Sequence, residues 1–374
     1  MAFLSRFMKR LVSLRRTQVA LLTLGTLAGM VAWAVFSHRS QPKAPDPARV
    51  QLWQKITPRL QQADQDGAQT GQRHLERLSD FFIEKRWYAR DFAEDALGWG
   101  GKWAFVKGKV AGDDGKAHQE YLRAAFERHF FTGRDLQELL QSVITGYLTE
   151  VEGQENALLV AIRADLSEQD LPALQQLAAL RSDEAFRNEY RKMLEQVIPT
   201  ISRDMKITLG REAVVWVGSD IAAAVTVRIA SAVAVRLGIS GGILGTGAAS
   251  GVATLGIGVV VGFLVDGAVD WIMQRIGYDP VGKIAGEVSA TLSRIEQLLL
   301  DGDPEAHTVY RHMRRLQDQD PIPFVRSECR KAADRVETGG SLGLRYELNR
   351  LRELRCRLRE AALKRLILEG GGAL

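Results

Sequence analysis

Two short motifs in this 374-residue chain hold residue types that could carry catalysis. In the first, residues 238–242 read Gly-Ile-Ser-Gly-Gly, which matches the G-x-S-x-G pattern of a serine nucleophile in a sharp strand-to-helix turn. The sequence predicts a helix before Ser240 and a glycine-rich apolar run after it, so the required strand is missing. A serine hydrolase with Ser240 as nucleophile is therefore the third of three functions that the sequence leaves open.

The second motif resembles a phosphate-binding loop at residues 277–284, which read GYDPVGKI. Ile284 stands where such a loop has the serine or threonine that binds magnesium, and no strand is predicted before it. Pro280 instead predicts a turn that starts the next helix. Zinc-site spacings are missing too, since His307 and His312 lie five residues apart rather than four. We expect no cofactor and no metal.

Carboxylates occur in two clusters at spacings that follow the predicted helices. Because acidic and apolar positions alternate with helical periodicity, solvated helix faces explain both clusters without catalysis. We therefore expect a protein that is not an enzyme. The clusters are Asp91, Glu94 and Asp95, and Glu150, Glu152 and Glu155.

The elements that must position these residues are predicted to be helices almost throughout. Apolar residues recur every three or four positions, as in Leu75, Leu78 and Phe82. A leucine stripe among charged residues in the last helix, 342–369, is typical of core packing or a coiled-coil seam. Helices are predicted at 48–65, 70–97, 117–131, 134–166, 168–197, 200–236, 281–301, 303–317, 321–337 and 342–369, and a short strand at 103–110 within a glycine-rich insert, 98–115.

The amino terminus is basic and precedes an apolar run. Residues 1–40 hold six basic residues and no acid, and residues 19–36 are uncharged. This order predicts a transmembrane anchor in residues 1–36 with the amino terminus in the cytoplasm and the following chain exported. A proline-rich linker follows at 37–47. A cleaved signal peptide, with cleavage after Ala34, is the competing interpretation.

The charge balance and arginine usage bear on partner and compartment. Outside residues 1–40 the chain has 44 Lys and Arg against 45 Asp and Glu, so it lacks the basic footprint of a nucleic-acid-binding protein. Arginine outnumbers lysine by 37 to 13, which favours a GC-rich bacterial genome. We expect the bacterial inner membrane, with the bulk of the chain periplasmic; the mitochondrial inner membrane is the alternative.

The longest uncharged stretch is residues 237–265, which contains nine glycines in 29 residues. As a helix it would be about 44 Å long, more than the ~30 Å hydrocarbon core of a bilayer. Nine glycines cost a helix on the order of 9 kcal/mol unless close packing offsets the loss. The small residues form one stripe, a predicted helix-packing interface: Gly247, Gly251, Thr254, Gly258 and Gly262.

Five charged residues flank this run and could mark a pore or a membrane boundary: Asp220, Arg228, Arg236, Asp266 and Asp270. Insertion of residues 213–235 into a membrane is marginal in free energy. Two charges near the middle of the segment cost ~5 to 7 kcal/mol, and transfer of the Val and Ile side chains into lipid regains only ~3 to 5 kcal/mol. Residues 213–272 therefore either enter the membrane as a hairpin or lie buried in the exported helical domain.

The predicted fold class is all-α: a membrane-anchored multi-helix protein with a glycine-zipper apolar helical hairpin. The hairpin, 211–277, separates a helical domain, 48–210, from a carboxyl-terminal helical region, 278–374. Cys329 and Cys356 flank the glycine-rich turn at 339–343 almost symmetrically. They could form a disulfide if the two flanking helices pair antiparallel, and two free thiols are the alternative.

The leading function is a non-enzymatic, membrane-anchored envelope scaffold or partner-binding protein that self-associates through the glycine-rich hairpin. Its expected partners are membrane lipid and either a second copy of the chain or another membrane or envelope protein, with no nucleic acid. The runner-up is a pore-forming or membrane-perturbing protein that uses residues 213–272.

Overall fold

The computed structural model describes residues 46–98, 116–167, 178–205, 218–236 and 281–369. These residues form ten α-helices, one short 3₁₀ turn (Ala178–Arg181) and no strand, which confirms the all-α class. The chain divides into residues 1–50 and 51–374, and the packing described below belongs to the second unit. The helices are α1 (Pro47–Trp87), α2 (Ala89–Leu97), α3 (Lys116–His129), α4 (Gly133–Ser167), α5 (Asp183–Met205), α6 (Gly218–Arg236), α7 (Val281–Leu300), α8 (Pro304–Gln319), α9 (Pro323–Thr338) and α10 (Gly343–Leu368).

Helix α1 is one continuous helix of 41 residues, whereas the sequence predicts two helices with a break between 65 and 70. Gly67 and Gly71 lie inside α1, where side chains of two other helices pack against it. Side-chain atoms of Arg352 and Tyr147 come within 3.8 and 3.6 Å of the points where their Cβ atoms would stand. Pro199 likewise lies inside α5 and does not end it. Tertiary packing thus overrides the local helix-breaking preference.

Two hydrophobic cores lie along the three longest helices of the described chain. The first core joins the carboxyl-terminal half of α1, the start of α4 and the start of α10 with α2, α3, α6 and α7. The second core joins the amino-terminal half of α1, the end of α4 and the remainder of α10 with α5. Because α1, α4 and α10 contribute to both, the described residues of the predicted domain, 48–210, and of the carboxyl-terminal region form one folded body.

Three glycines with positive φ bring two loops and a helix into backbone contact. Gly302, Gly340 and Gly343 have φ of 75°, 73° and 78°, a conformation that other residues adopt only at a cost. A Cβ on Gly343 would lie 2.3 Å from the Gly302 nitrogen, and one on Gly340 would lie 2.5 Å from the carbonyl oxygen of Arg228 in α6. We call these residues the glycine junction. It fixes both ends of the α8–α9 segment to the body.

Helices α8 and α9 pack against each other as an antiparallel hairpin and bury few side chains. Only Ala306 of α8 is buried, together with Cys329, Ala333 and Glu337 of α9. The tip exposes Ile322 and Phe324, whose exposed fractions are 54% and 72%. We call α8, α9 and their connection the hairpin arm.

The candidate disulfide between Cys329 and Cys356 is not formed: both cysteines are free thiols. The expected antiparallel pairing of the flanking helices is also wrong, since α9 packs along α8 while α10 packs along α5. Cys329 is buried within the arm, and Cys356 is half-buried on α10. The two helices leave the glycine junction with different partners, which explains why symmetry about the turn does not bring the thiols together.

None of the helices in the described part of the chain is both long and apolar enough to cross a membrane. The predicted anchor, 1–36, and the glycine-rich run, 237–265, lie outside the described residues, as does the predicted strand at 103–110.

The glycine junction generates a stability prediction. Gly340→Ala should lower the free energy of unfolding by about 2 kcal/mol or more, because alanine at positive φ costs ~1 to 2 kcal/mol and its Cβ meets a backbone carbonyl. Gly286→Ala in α7 is the matched control, because nothing lies within 4 Å of its Cβ position; helix propensity should make it neutral or stabilising by up to ~1 kcal/mol. Chemical denaturation measures both, and equal losses would contradict the junction.

Candidate functional site

A layer of buried and half-buried polar side chains separates the two cores where α1 meets α4. The Thr70 hydroxyl donates to Glu150 Oε1 at 3.3 Å, and Gln154 Nε2 donates to Thr70 Oγ1 at 2.8 Å. His74 is almost fully buried, and its Nε2 lies 3.1 Å from Glu150 Oε2. Burial lowers the pKa of His74, so the neutral ring donates from Nε2. These bonds fix the register of α1 against α4.

The same layer continues onto α10, where buried arginines reach two other helices. Arg355 donates to Glu155 Oε2 from Nε at 3.2 Å and from Nη2 at 3.1 Å. The hydroxyl of Tyr190 in α5 donates to Glu155 Oε1 at 2.6 Å, and burial raises the pKa of Tyr190 well above its usual value. Arg359 donates to the backbone carbonyl of Leu60 in α1. Helix α10 is thereby tied to α1 and α4 by charged hydrogen bonds, and Glu155 of α4 connects it to α5.

Arg228 and Arg236, two of the predicted membrane-boundary charges, form ion pairs with other helices. Arg228 Nη2 lies 3.2 Å from Glu347 Oε2 on α10. Arg236 pairs with Asp303, which also caps α8, and with Glu305 at 3.2 Å. Helix α6 also buries four apolar side chains in the first core: Val225, Ile229, Ala230 and Val233. Residues 225–236 are therefore part of the helical body.

The remaining predicted site residues lie beyond what the structure describes. Asp220 is in the first turn of α6, but its side chain is not described. Outside the described residues lie Ser240, the stripe Gly247, Gly251, Thr254, Gly258 and Gly262, and the pair Asp266 and Asp270.

Three carboxylates expected on solvated faces instead join helices: Asp95, Glu150 and Glu155. Asp95 accepts from Tyr121 at 2.7 Å, from Arg128 at 2.7 Å and from His129 at 3.1 Å, and the Tyr121 bond lowers its pKa. For two of these carboxylates, the sequence spacing indicates a position beside the core. Asp95 lies three residues after the buried Phe92, and Glu150 lies three after the buried Tyr147, which puts each carboxylate beside a core position.

A polar cleft of about 740 Å³ lies between the hairpin arm and α10. Along α10 it extends from Tyr346 to Arg357, a rise of about 16 Å. We call it the arginine cleft, because five arginines line it against three carboxylates: Arg314, Arg330, Arg350, Arg352 and Arg357 against Asp64, Glu337 and Glu353.

Glu337 closes the base of the arginine cleft. Arg350 Nε lies 2.8 Å from its Oε1, and Arg314 Nη2 donates to its Oε2 at 2.6 Å. The hydroxyls of Tyr310 and Tyr346 lie 2.8 Å apart, and their rings meet edge to face at 5.6 Å. Burial raises the pKa of Tyr346, so its phenol stays protonated. Both oxygens of Glu337 are thus occupied by arginines, and this cluster holds the arm to α10.

At the end of the arginine cleft away from Glu337, which we call its mouth, the arginines form weaker ion pairs or none. Arg357 pairs with Glu353 at 2.5 Å on the exposed face of α10, and Arg352 lies 3.5 Å from Asp64. The structure shows no ion pair between Arg330, which is exposed, and any described residue. The mouth therefore presents guanidinium groups that can donate hydrogen bonds to further acidic groups.

No protein-family model, no curated protein and no solved structure matches this chain. Among the described residues, no three His, Cys, Asp or Glu side chains are grouped so that they could hold a metal ion. His307 donates from Nε2 to the backbone carbonyl of Asp301 at 2.6 Å, so it serves a loop. The geometry of the polar layer and of the arginine cleft is accordingly the basis for a functional proposal.

The Arg228–Glu347 pair generates a prediction for pH dependence. Burial raises the pKa of Glu347 and Arg228 opposes the rise, so Arg228→Ala should raise it further. A folded carboxyl with a raised pKa binds more protons than the unfolded one, so stability falls as pH rises from about 4.5 through the folded pKa. We expect Arg228→Ala to cost about 3 kcal/mol at pH 7 and clearly less near pH 4.

Glu347→Gln in the Arg228→Ala background supplies the matched control. Removing the ionisable carboxyl should restore part of the stability at pH 7 and flatten its pH dependence. Denaturant unfolding of the wild type, the two single variants and the double variant at both pH values gives eight free energies. Strict additivity of the two substitutions at pH 7 would show that α6 and α10 are not coupled through this pair.

Proposed function

We propose that this chain is a non-enzymatic helical scaffold, anchored in the bacterial inner membrane, that binds a partner protein and self-associates through its glycine-rich run. The observation that carries the proposal is the use of buried charge. Glu155, Glu337 and Glu347 each accept from an arginine on another helix. Such pairs fix the helices of one body in register and leave the hairpin arm and its cleft projecting for a partner.

The anchor in this proposal is the amino-terminal segment. Six basic residues and no acid in residues 1–40, with an uncharged run at 19–36, favour a retained span with the amino terminus in the cytoplasm. The helical body would then lie in the periplasm. The equivalent arrangement at the mitochondrial inner membrane is the alternative location.

Self-association is assigned to the small-residue stripe at Gly247, Gly251, Thr254, Gly258 and Gly262. Close approach between backbones offsets the helix cost of glycine, and small residues permit that approach. The stripe follows α6 directly in the chain, so copies that meet there would bring their helical bodies together.

A pore formed by residues 213–272 is the second candidate, and the packing of α6 weighs against it. Moving α6 into a membrane would break the contacts of Arg228 with Glu347 and of Arg236 with Asp303. It would also expose Val225 and Ile229, which are buried in the first core. A buried charge that loses its partner costs about 3 to 5 kcal/mol, so a pore would need a trigger that opens the body.

Membrane extraction tests the anchor. We expect the full-length chain to stay with membranes after alkaline carbonate washing, because an apolar span is not released by loss of ionic contacts. Deletion of residues 1–40 should move the protein to the supernatant. Recovery of a soluble protein whose amino terminus lies near Val35 would instead demonstrate a cleaved signal peptide.

Leucine substitutions test the stripe. Gly251→Leu and Gly258→Leu should reduce oligomer size or thermal stability, because a large side chain separates closely packed backbones. Ala249→Leu and Ala253→Leu, about 200° and 240° around a helix from Gly247, are the matched controls. Light scattering and thermal unfolding of the purified chain measure the effects, and equal tolerance on both faces would reject the interface. Dye leakage from liposomes, lost in the two glycine variants, would support the pore instead.

A further inference from the structure

We propose that the arginine cleft is the docking site for an acidic peptide segment of the partner protein. This inference rests on the proposed function, which requires a partner but does not say where or through what chemistry it binds. The cleft supplies both the location, between the hairpin arm and α10, and the chemistry, which is carboxylate recognition by arginine.

The charges of the arginine cleft leave an excess of guanidinium groups. Two of its five arginines, Arg314 and Arg350, are bound to Glu337 at the base. Toward the mouth, Arg330, Arg352 and Arg357 face only Asp64 and Glu353. Guanidinium groups bind carboxylates bidentately with charge-assisted hydrogen bonds. An acidic segment would neutralise this excess positive charge, whereas a basic or apolar segment would not.

The shape of the cleft selects a chain rather than a compact anion. Its wall along α10 is about 16 Å long, the rise of eleven helical residues, so arginines stand at several heights. A free phosphate would meet one or two of them, whereas a peptide with carboxylates along its length meets all. Tyr346 and Arg350 belong to the residue types that dominate binding energy at protein interfaces.

The hairpin arm explains why the cleft stays open. α9 packs on α8 and not along α10, and the arm meets the body at the glycine junction and at Glu337. Both contacts lie at the base of the cleft. At the mouth, Arg330 of α9 and Arg357 of α10 are both exposed, so a partner can reach them.

Cys356 lines the arginine cleft and provides a reporter of its occupancy. It is half-buried, and burial raises the pKa of its thiol, so alkylation is best followed at mildly alkaline pH. The other cysteine, Cys329, is buried in the arm. A Cys329→Ser variant leaves a single thiol, whose alkylation rate reports access to the cleft.

The test uses the full-length Cys329→Ser protein in detergent and a fluorescein-labelled twelve-residue peptide of glutamate and alanine. We expect saturable binding by fluorescence anisotropy and slower alkylation of Cys356 when the peptide is bound. Arg330→Glu and Arg357→Glu should each weaken binding about tenfold or more, since each replaces an attraction with a repulsion. Arg326→Glu, an exposed arginine one turn from Arg330 but outside the cleft lining, should change the affinity less than about twofold.

Several outcomes would overturn the proposal. These are failure of the glutamate peptide to bind, equal loss in the Arg326→Glu control, and unchanged alkylation of Cys356. Equal binding of the matching lysine peptide would do so as well. Protection of Cys356 by inorganic pyrophosphate and not by the peptide would assign the cleft to a small anion. Unchanged thermal unfolding shows that the variants are folded, as expected for two exposed positions.

The partner itself separates this inference from the proposed function. If a native protein co-purifies with the full-length chain from membranes and is lost in Arg330→Glu/Arg357→Glu, both stand. If it still co-purifies with that variant, the scaffold function stands and the cleft is excluded as its docking site. If nothing co-purifies although the glutamate peptide binds with the expected variant pattern, the scaffold proposal fails and the cleft remains an acidic-peptide site.

Discussion

The need to pair charges on a helix that lies inside the body is the constraint on which the rest of the structure depends. Helix α10 contributes to both cores, yet it carries buried Glu347, Arg355 and Arg359. Removing the partner of a buried charge costs about 3 to 5 kcal/mol, so each pair fixes the position of a neighbouring helix. Glu347 fixes α6, Arg350 fixes α9, Arg359 fixes α1 and Arg355 fixes α4.

The arginine cleft follows from the same arrangement. Because α10 packs against α5 and the body along its length, the hairpin arm can meet it only near the start of α10. The glycine junction sets the direction of the arm there, and Glu337 closes the contact with arginines from two helices. Beyond that point the helices separate, and arginines with few acidic partners line the space between them.

The sequence predicts the helices well where apolar periodicity is strong, because burial of one helix face is a local property of the pattern. Prediction from the sequence fails where contacts between distant residues determine the structure. The glycines of α1 suggest a break, but Arg352 and Tyr147 pack against both positions at van der Waals distance. The symmetry of Cys329 and Cys356 suggests a helical pair, but α9 and α10 pack on different helices. Neither contact is encoded in neighbouring residues.

Much of the candidate site could not be found from the sequence for a related reason. The leucine stripe of α10 predicts core packing correctly, yet the pattern treats its arginines as surface charges. Arg355 and Arg359 are buried because their partners, Glu155 and the carbonyl of Leu60, come from helices about 200 and 300 residues away in sequence. Only Asp95 and Glu150 had a usable signal, since each lies three residues after a large buried aromatic side chain.

Native-state hydrogen exchange on the full-length chain tests most directly whether the charged pairs of α10 organise the body. The amides of residues 348–362 should be among the slowest to exchange, and those of residues 225–233 in α6 should exchange with the same opening free energy, because both need global unfolding. The hairpin arm should open at lower free energy. Faster exchange in α10 than in α1 and α4, or opening of α6 independently of α10, would contradict the central role of α10.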